Sequence, residues 1–410
     1  MKKNIPVVNI ILLGCCLIPL IEDFRLFFQI ILIIFLTKLS GSLCRRLGQP
    51  AVVGEMLAGI LLGPVLLGDY SYFLFPKESL PELHLISQAG LILFMFMVGM
   101  ELDIGRLKKS GYTSIIISHT SIMVPFVCGI LISFYLYPRF SPKEVEFWHF
   151  ALFMGVAMSI TAFPVLARIV KEKGLSKTKL GELAISCAAV DDVTAWCMLG
   201  ALVAWVRSDS LLGVMMIIPA CVLLIWILVK WVKPKLADLF YDGVLNGGRS
   251  VLLITLVSLS AYMTEYMGIH ALFGAFLVGI VIPETIRKTI LSKIEDLTVK
   301  VLLPLFFATS GLRMDVEFIG LEYIGGFALI LAVAVAGKLL GSSLAAKWCG
   351  LDRQTSYSIG VLMNTRGLME LVVLNIGLDL GIIHVEIYGM MVFMALLTTI
   401  MTTPLLKLKL

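Results

Sequence analysis

Two adjacent aspartates, Asp191 and Asp192, stand in the middle of the mostly apolar segment LGELAISCAAVDDVTAWCMLGALVAWV. One carboxylate at the centre of a bilayer costs at least ~2.5 kcal/mol, and two neighbouring carboxylates also repel each other. Burial and repulsion both favour the protonated form, so we expect at least one of the pair to exchange protons near physiological pH. The pattern predicts a site for protons and cations. The alternative is a permanently protonated acid that holds two helices together.

Lys338 is the one charged residue in GGFALILAVAVAGKLLGSSLAA, residues 325–346, and no side chain within one helical turn can pair with it. An isolated buried ammonium group either loses its proton or finds a carboxylate on another helix. We therefore expect Lys338 to reach the aspartate pair. The alternative is that its side chain extends to a membrane interface, but the residue lies near the middle of the segment.

Two other apolar segments contain residues that interrupt a helix. In GVAMSITAFPVLARIVKEKG, Pro164 removes a backbone donor and clashes with the preceding turn, although a purely structural kink is the alternative. In SIGVLMNTRGLMELVVLNIG, Arg366 and Glu370 are four residues apart and should neutralise each other. Helix breaks expose carbonyl oxygens and helix ends, from which transporters build ion sites at mid-membrane. The predicted lining residues of the two breaks are Ser159, Thr161, Pro164, Asn364 and Thr365.

The composition requires a membrane around these segments. Apolar residues make up 59% of the 410 residues and charged residues only 15%, against roughly 25% in a soluble domain. About 13 or 14 segments approach the ~20 apolar residues that a spanning helix needs. Lys and Arg concentrate in alternate loops, so the positive-inside rule predicts a multi-pass protein of the plasma or inner membrane with both termini in the cytoplasm. The net charge of +5 is thus a topology signal and not a nucleic-acid footprint.

The beginning of the chain and its cysteines have simpler interpretations. Residues 1–23 are expected to form an extra helix, with a cleaved signal peptide as the alternative. The eight cysteines lack the spacing of metal ligands, so we expect no disulfide, no resident metal and no cofactor.

Three blocks of the sequence recur in the same order, which indicates an internal repeat. Matched helices lie an odd number of spans apart, so the two copies must cross the membrane in opposite directions. The matched blocks are 51–63 with 271–283, 91–104 with 303–316, and 155–159 with 360–364. The predicted units are the extra helix 1–23, repeat one 24–207, a linking helix 208–247 and repeat two 248–410.

Five motifs carry a family resemblance that covers nearly the whole chain. They are QPAVVGEMLAGILLGP (49–64), CAAVDDVTAW (187–196), LLPLFFATSGLR (302–313), AGKLLGS (336–342) and MNTRGLMELVVLNIG (363–377). With them the chain resembles the monovalent cation:proton antiporter superfamily, in the paired-aspartate branch that includes sodium/proton antiporters, potassium-efflux antiporters and plant cation/proton exchangers. The resemblance implies an all-α polytopic membrane fold with two inverted six-helix repeats and two crossed broken helices. It also implies a homodimer, in which a core domain moves against a dimerisation domain.

The resemblance also assigns residue roles. It makes Asp192 the main carboxylate for the cation and the proton, and it pairs Asp191 with Lys338. One departure concerns the position directly after the Arg-Gly of the second broken helix, where some relatives have glutamate. Here that position is Leu368 and the acid is Glu370, so the resemblance says little about ion choice.

The implied function is secondary active exchange of Na⁺ or K⁺ for H⁺ by alternating access within membrane lipid, without catalytic residues or enzyme activity. Competition of the two ions for the same carboxylates would couple their fluxes. Two alternatives stay open: a gated cation channel and a non-transporting ion sensor. Because Lys338 separated from Asp191 should release its proton, we expect electrogenic exchange. No GxGxxG nucleotide-binding module follows the last helix, so we expect either an unregulated transport unit or regulation by a separate subunit.

Overall fold

The computed structural model describes residues 24–101, 111–208, 219–220, 222–267, 270–312 and 321–407, and these residues are almost entirely helical. The predicted extra helix at 1–23 and part of the predicted linking helix, residues 209–218 and 221, lie outside the described residues. The helices are α1 Arg25–Arg46, α2 Ala51–Leu62, α3 Pro64–Leu67, α4 Asp69–Leu74, α5 Leu80–Glu101, α6 Gly111–Phe140, α7 Phe147–Ser159, α8 Phe163–Glu172, α9 Lys179–Ser208, α10 Lys233–Leu239, α11 Gly247–Tyr266, α12 Ala271–Val281, α13 Glu284–Leu297, α14 Leu303–Leu312, α15 Leu321–Trp348, α16 Arg353–Met363, α17 Leu368–Asp379 and α18 Val385–Lys407.

The helices have the lengths and composition of a membrane bundle. Within the described ranges, six are long and apolar enough to cross a bilayer, namely α1, α5, α6, α9, α15 and α18, and three more, α2, α7 and α12, are apolar but shorter. Lipid offers no hydrogen-bond partners to the backbone, so a helix, which satisfies its own amides and carbonyls, is the form that such apolar segments must take. The predicted all-α polytopic membrane fold is confirmed.

Glycine contacts repeat between the two halves of the chain. Gly54 of α2 packs against the backbone of Ser40 in α1, and Gly274 of α12 packs in the same way against Ser260 in α11. Both residues of the second contact lie 220 positions after those of the first, since 274 − 54 and 260 − 40 are equal. A Cβ on either glycine would overlap the facing carbonyl. The two helix pairs therefore have the same packing, with the spacing at which the sequence blocks recur.

Two further glycine contacts join the halves to each other. Gly59 of α2 meets Gly311 of α14, while Gly279 of α12 meets Gly99 of α5. In the matched blocks Gly59 corresponds to Gly279 and Gly99 to Gly311, so the second contact repeats the first with the halves exchanged. Backbones approach closely where neither residue has a side chain, which is the common way for helices to associate in lipid. These pairs form one side of the bundle, and α6–α9 with α15–α18 form the part that contains the acidic pair.

Candidate ion-binding site

Two helices of this bundle are interrupted, and their interruptions cross. The chain leaves helical geometry between α7 and α8, with Ile160 extended at φ −72° and ψ 138°, and again between α16 and α17. The Ala162 amide donates to the Thr365 carbonyl over 3.0 Å, which links the two breaks directly. At the second break Gly367 has φ 154°, in the region that favours glycine, and a Cβ there would lie 2.9 Å from Val165 Cγ2. The crossed broken helices predicted from the sequence are present.

Asp191 lies beside this crossing in a complete set of hydrogen bonds. Its Oδ2 accepts from Lys338 Nζ over 3.0 Å and from Thr161 Oγ1 over 2.8 Å, and both charged side chains are fully buried. Lys338 Nζ also donates to Thr161 Oγ1 over 2.7 Å and to Ser121 Oγ over 3.0 Å. All three ammonium protons therefore have an oxygen, and the carboxylate neutralises the charge. The structure brings together Asp191, Lys338 and Thr161, which the sequence predicted for one site.

Two serines of α6 complete this set, and sequence reasoning missed both. Ser118 Oγ donates to Asp191 Oδ1 over 2.5 Å, and Ser121 Oγ donates to Asp191 Oδ2 over 3.2 Å. The two lie three residues apart, one turn of a helix, in the apolar segment SIIISHTSIMV. Polar residues at helical spacing within a span mark a face that looks into the protein. That spacing was the signal available, and it indicates which helix covers the pair.

Asp192 has a different environment from its neighbour. It is 2% exposed, and neither carboxylate oxygen forms a hydrogen bond to a described residue, although the backbone N–H of Phe163 interacts with it. Phe163 is the first residue of α8, so the carboxylate faces the positive end of a half-helix dipole. Both polar atoms of Asn364, in the second break, are likewise buried without a partner in the described chain. Carboxylate and amide oxygens that accept no hydrogen bond are available for a cation.

Arg366 and Glu370 form a separate, self-contained pair. Arg366 Nη1 lies 2.7 Å from Glu370 Oε2, and both side chains are fully buried. The guanidinium also donates to two carbonyls at the end of α7, that of Ala157 over 3.1 Å and that of Met158 over 2.6 Å. The first helix break leaves those carbonyls without their usual partners. Arg366 therefore satisfies the negative end of α7 while Glu370 balances its charge.

The remaining predicted residues lie at the breaks with local partners. Ser159 Oγ donates back to the Val156 carbonyl over 2.7 Å, within its own helix. Thr365 Oγ1 lies 3.4 Å from Thr402 Oγ1 of α18. The backbone of Pro164 occupies the second position of α8, where a missing amide proton is tolerated. In the described chain, neither the Ser159 hydroxyl nor the Thr365 hydroxyl forms a hydrogen bond with the two aspartates.

The buried charges of this region do not balance. Asp191, Asp192 and Glu370 carry negative charge when ionised, and Lys338 and Arg366 carry positive charge, so these five described side chains sum to −1. Lys338 also interacts electrostatically with Arg366 and Glu370, so the five act as one group. A net charge in a low-dielectric interior is strongly unfavourable. Either one proton or one monovalent cation brings the sum to zero.

Comparison with known proteins gives consistent matches along the chain. A family profile described as "Sodium/hydrogen exchanger, transmembrane" matches residues 31–408. The Na(+)/H(+) antiporter NhaS4 of Synechocystis is 43% identical over 389 residues, covering 92% of this chain and 95% of that protein. The Na(+)/H(+)-K(+) antiporter GerN of Bacillus cereus is 30% identical, covering 94% and 96%. Cation/H(+) antiporter 19 of Arabidopsis thaliana is 40% identical over 93% of this chain, which spans 49% of that longer protein.

The fold also matches a solved structure. The sodium proton antiporter MjNhaP1 from Methanocaldococcus jannaschii superposes with a TM-score of 0.61 over 94% of this chain and 96% of that one, at 15% sequence identity. At that identity the likeness concerns the fold alone.

Proposed function

This chain belongs to the sodium/hydrogen exchanger family, and we propose that it exchanges Na⁺ or K⁺ for protons across the cell membrane, with Asp191 and Asp192 as the shared site. The observation that carries the proposal is the contrast within the pair. Asp191 is neutralised by Lys338 over 3.0 Å, while both oxygens of Asp192 are buried without a hydrogen bond to a described residue. The names of the relatives, which are Na⁺/H⁺, cation/H⁺ and Na⁺/H⁺-K⁺ antiporters, support the same activity.

Exchange follows from the single missing positive charge. The site is neutral when Asp192 holds a proton, and it is neutral again when a monovalent cation replaces that proton. It is charged when it holds neither and when it holds both. An empty site leaves the Asp192 carboxylate without a countercharge, which is costly to move through the bilayer, so the protein crosses between its two orientations only when Asp192 holds a proton or a cation. Competition between the proton and the cation for Asp192 therefore couples the two fluxes, and no other coupling element is needed.

The helix breaks provide the moving part of this proposal. The cation is bound where α7 and α8 cross α16 and α17, and relative movement of α6–α9 with α15–α18 against α1–α5 with α11–α14 exposes the site alternately to the two sides. The second of these groups is held together by the repeated glycine contacts, which make it a rigid frame. We propose, in line with the resemblance, that two copies dimerise through this frame and that both termini lie in the cytoplasm.

The test is dissipation of an imposed pH gradient in proteoliposomes, with Na⁺, K⁺, Rb⁺, Li⁺ and choline added in turn. Exchange predicts that at least one alkali cation collapses the gradient and that choline does not, because choline is too large for a site of carboxylates between crossed helices. The rate must saturate with the cation and fall as protons compete for the site. A cation flux that persists at equal pH on both sides and carries net current indicates a channel. Tight cation binding without flux indicates a sensor.

Lys338 sets the expected stoichiometry. A cation that binds both carboxylates separates Asp191 from Lys338, and the lysine, left without a countercharge in a dry interior, then releases its own proton. Two protons would then move for each cation, and the cation-loaded site would carry one negative charge where a protonated Lys338 would leave it neutral. An imposed membrane potential should therefore accelerate wild-type exchange in one direction. Lys338→Gln should remove that dependence, while Lys347→Gln, at an exposed lysine of the same helix, should retain it. Wild-type exchange that ignores a clamped potential means one proton per cation and a structural Lys338.

A further inference from the structure

A small polar cavity lies at the far end of α17 from the helix break, between that helix and α5, α12 and α14. Its volume is about 10 Å³, room for about one water molecule or one ion that has shed its hydration shell. Four of its eight lining residues are polar, an unusual share for a cavity in an apolar bundle. The lining residues are Gln88, Leu91, His270, Phe306, Val372, Asn375, Ile376 and Asp379.

One face of α17 runs from this cavity towards the ion-binding site. Val372, Asn375, Ile376 and Asp379 follow each other at helical spacing, so they form a single stripe. At 1.5 Å per residue the stripe covers about 10 Å of the helix, and it points along α17 towards the break at Gly367. It faces α5 and α14, which belong to the proposed frame. The cavity therefore lies on the boundary along which the two parts of the protein would move.

Two hydrogen bonds hold the helices together next to the cavity. Asn375 Nδ2 donates to Ser310 Oγ of α14 over 3.0 Å, and Tyr388 OH donates to the Ser310 carbonyl over 2.9 Å. These bonds tie α17 and α18 to the frame at one residue. Asn375 lies between Asp379 and the second helix break in the stripe. Breaking its bond to Ser310 would therefore open the cavity towards that break.

The charges around the cavity favour a cation. Asp379 is the last residue of α17, so its carboxylate adds to the negative end of the helix dipole. His270 faces it with Nδ1 buried and without a partner in the described chain. Burial lowers the pKa of His270, opposed by Glu265 and Asp379 and reinforced by Arg207, which itself pairs with Glu265 over 3.2 Å. At neutral pH the imidazole is therefore uncharged and can present a ring nitrogen to a cation.

We propose that this cavity is an access station for one partly dehydrated monovalent cation, in which Asp379 supplies the charge and Asn375 and His270 are neutral ligands. The inference rests on the proposed exchange function and adds the route by which the cation reaches Asp192 from one side. In the predicted topology the carboxyl end of α17 lies at one face of the membrane. The station therefore affects cation uptake from one face of the membrane only.

The test measures the apparent KM for Na⁺ and for K⁺ separately in right-side-out and in everted membrane vesicles. Asp379→Asn should raise the KM about fivefold, the effect of one partly exposed charge, at the face to which the carboxyl end of α17 opens, with Vmax retained. The matched control is Glu144→Gln, an exposed acid in the loop before α7, which the predicted topology places on the same face. It should leave the KM unchanged.

Two other results of the KM measurement contradict the station, and an inactive variant is resolved by a second substitution. An unchanged KM at both faces means that Asp379 does not attract the cation. An equal rise at both faces means that the substitution acts on the shared site at Asp192. If Asp379→Asn is inactive, Asp379→Glu decides: restored transport with a near-normal KM supports the charge, and persistent loss shows a structural role. If the wild-type protein itself shows no exchange in the vesicles, the exchange proposal is refuted. Failure of the access station and failure of the exchange proposal are therefore distinguishable.

Discussion

Asp192→Asn is expected to abolish cation-driven proton movement while the protein still inserts and folds. Asparagine keeps the size and polarity of the side chain, and the Asp192 oxygens make no hydrogen bond in the described chain that the substitution would break. It cannot release a proton or balance a cation, so the buried charges already sum to zero with neither ion bound and nothing couples the two fluxes. Initial rates of gradient dissipation in proteoliposomes should fall to those of empty liposomes.

Asp191→Asn provides the matched comparison. It removes a carboxylate at the neighbouring position but leaves Lys338 without its 3.0 Å partner. We expect reduced exchange with a shifted pH profile, because Asp192 still carries the exchangeable charge. A folded Asp192→Asn protein that exchanges ions at the wild-type rate would refute the assignment of the site. Equal and complete loss of exchange in both variants would show that the roles given to Asp191 and Asp192 are wrong.

Glu370→Gln should cause a large loss of stability. The change leaves the fully buried Arg366 guanidinium without a countercharge, and removal of one partner of a buried ion pair typically costs about 3 to 5 kcal/mol. The lower end is expected here, since the Ala157 and Met158 carbonyls continue to accept from Arg366. The midpoint of thermal unfolding in detergent should fall clearly.

Asp242→Asn is the control for that prediction. Its partner Arg249 lies at the same 2.7 Å separation, but the pair is solvent-accessible. Exposed ion pairs contribute little, so the unfolding midpoint should hardly move. Equal shifts in the two variants would mean that burial does not set the strength of the Arg366 pair.

The sequence predicted the parts of the site that depend on composition and helical order. A carboxylate pair and a lone lysine in apolar segments have few explanations other than contact with each other, and the breaks at Pro164 and Asn364 are local features. The all-α membrane fold follows from the same apolar runs. These predictions need only the rule that burying a charged side chain in lipid has a high free-energy cost.

The sequence could not give the contacts that depend on how the breaks cross. The contacts of the two α6 serines with Asp191, and of Arg366 with the end of α7, join residues 70 or more positions apart. Ser159 stays a predicted lining residue of the ion site, and its hydroxyl donates within its own helix. Serine in an apolar helix has this local alternative, and only the three-dimensional arrangement decides between the two. The unequal surroundings of Asp191 and Asp192 likewise arise from tertiary packing.

The most direct test of the single exchangeable charge is proton release on cation binding. NaCl or KCl is added to the purified protein in a weakly buffered detergent solution that contains a pH indicator. Choline chloride serves as the control for ionic strength. The account predicts that wild-type protein releases protons in stoichiometric amounts with a saturable dependence on the cation, and that folded Asp192→Asn protein releases no proton from this site. Cation binding to the wild type without proton release, or the same release from Asp192→Asn, would contradict it.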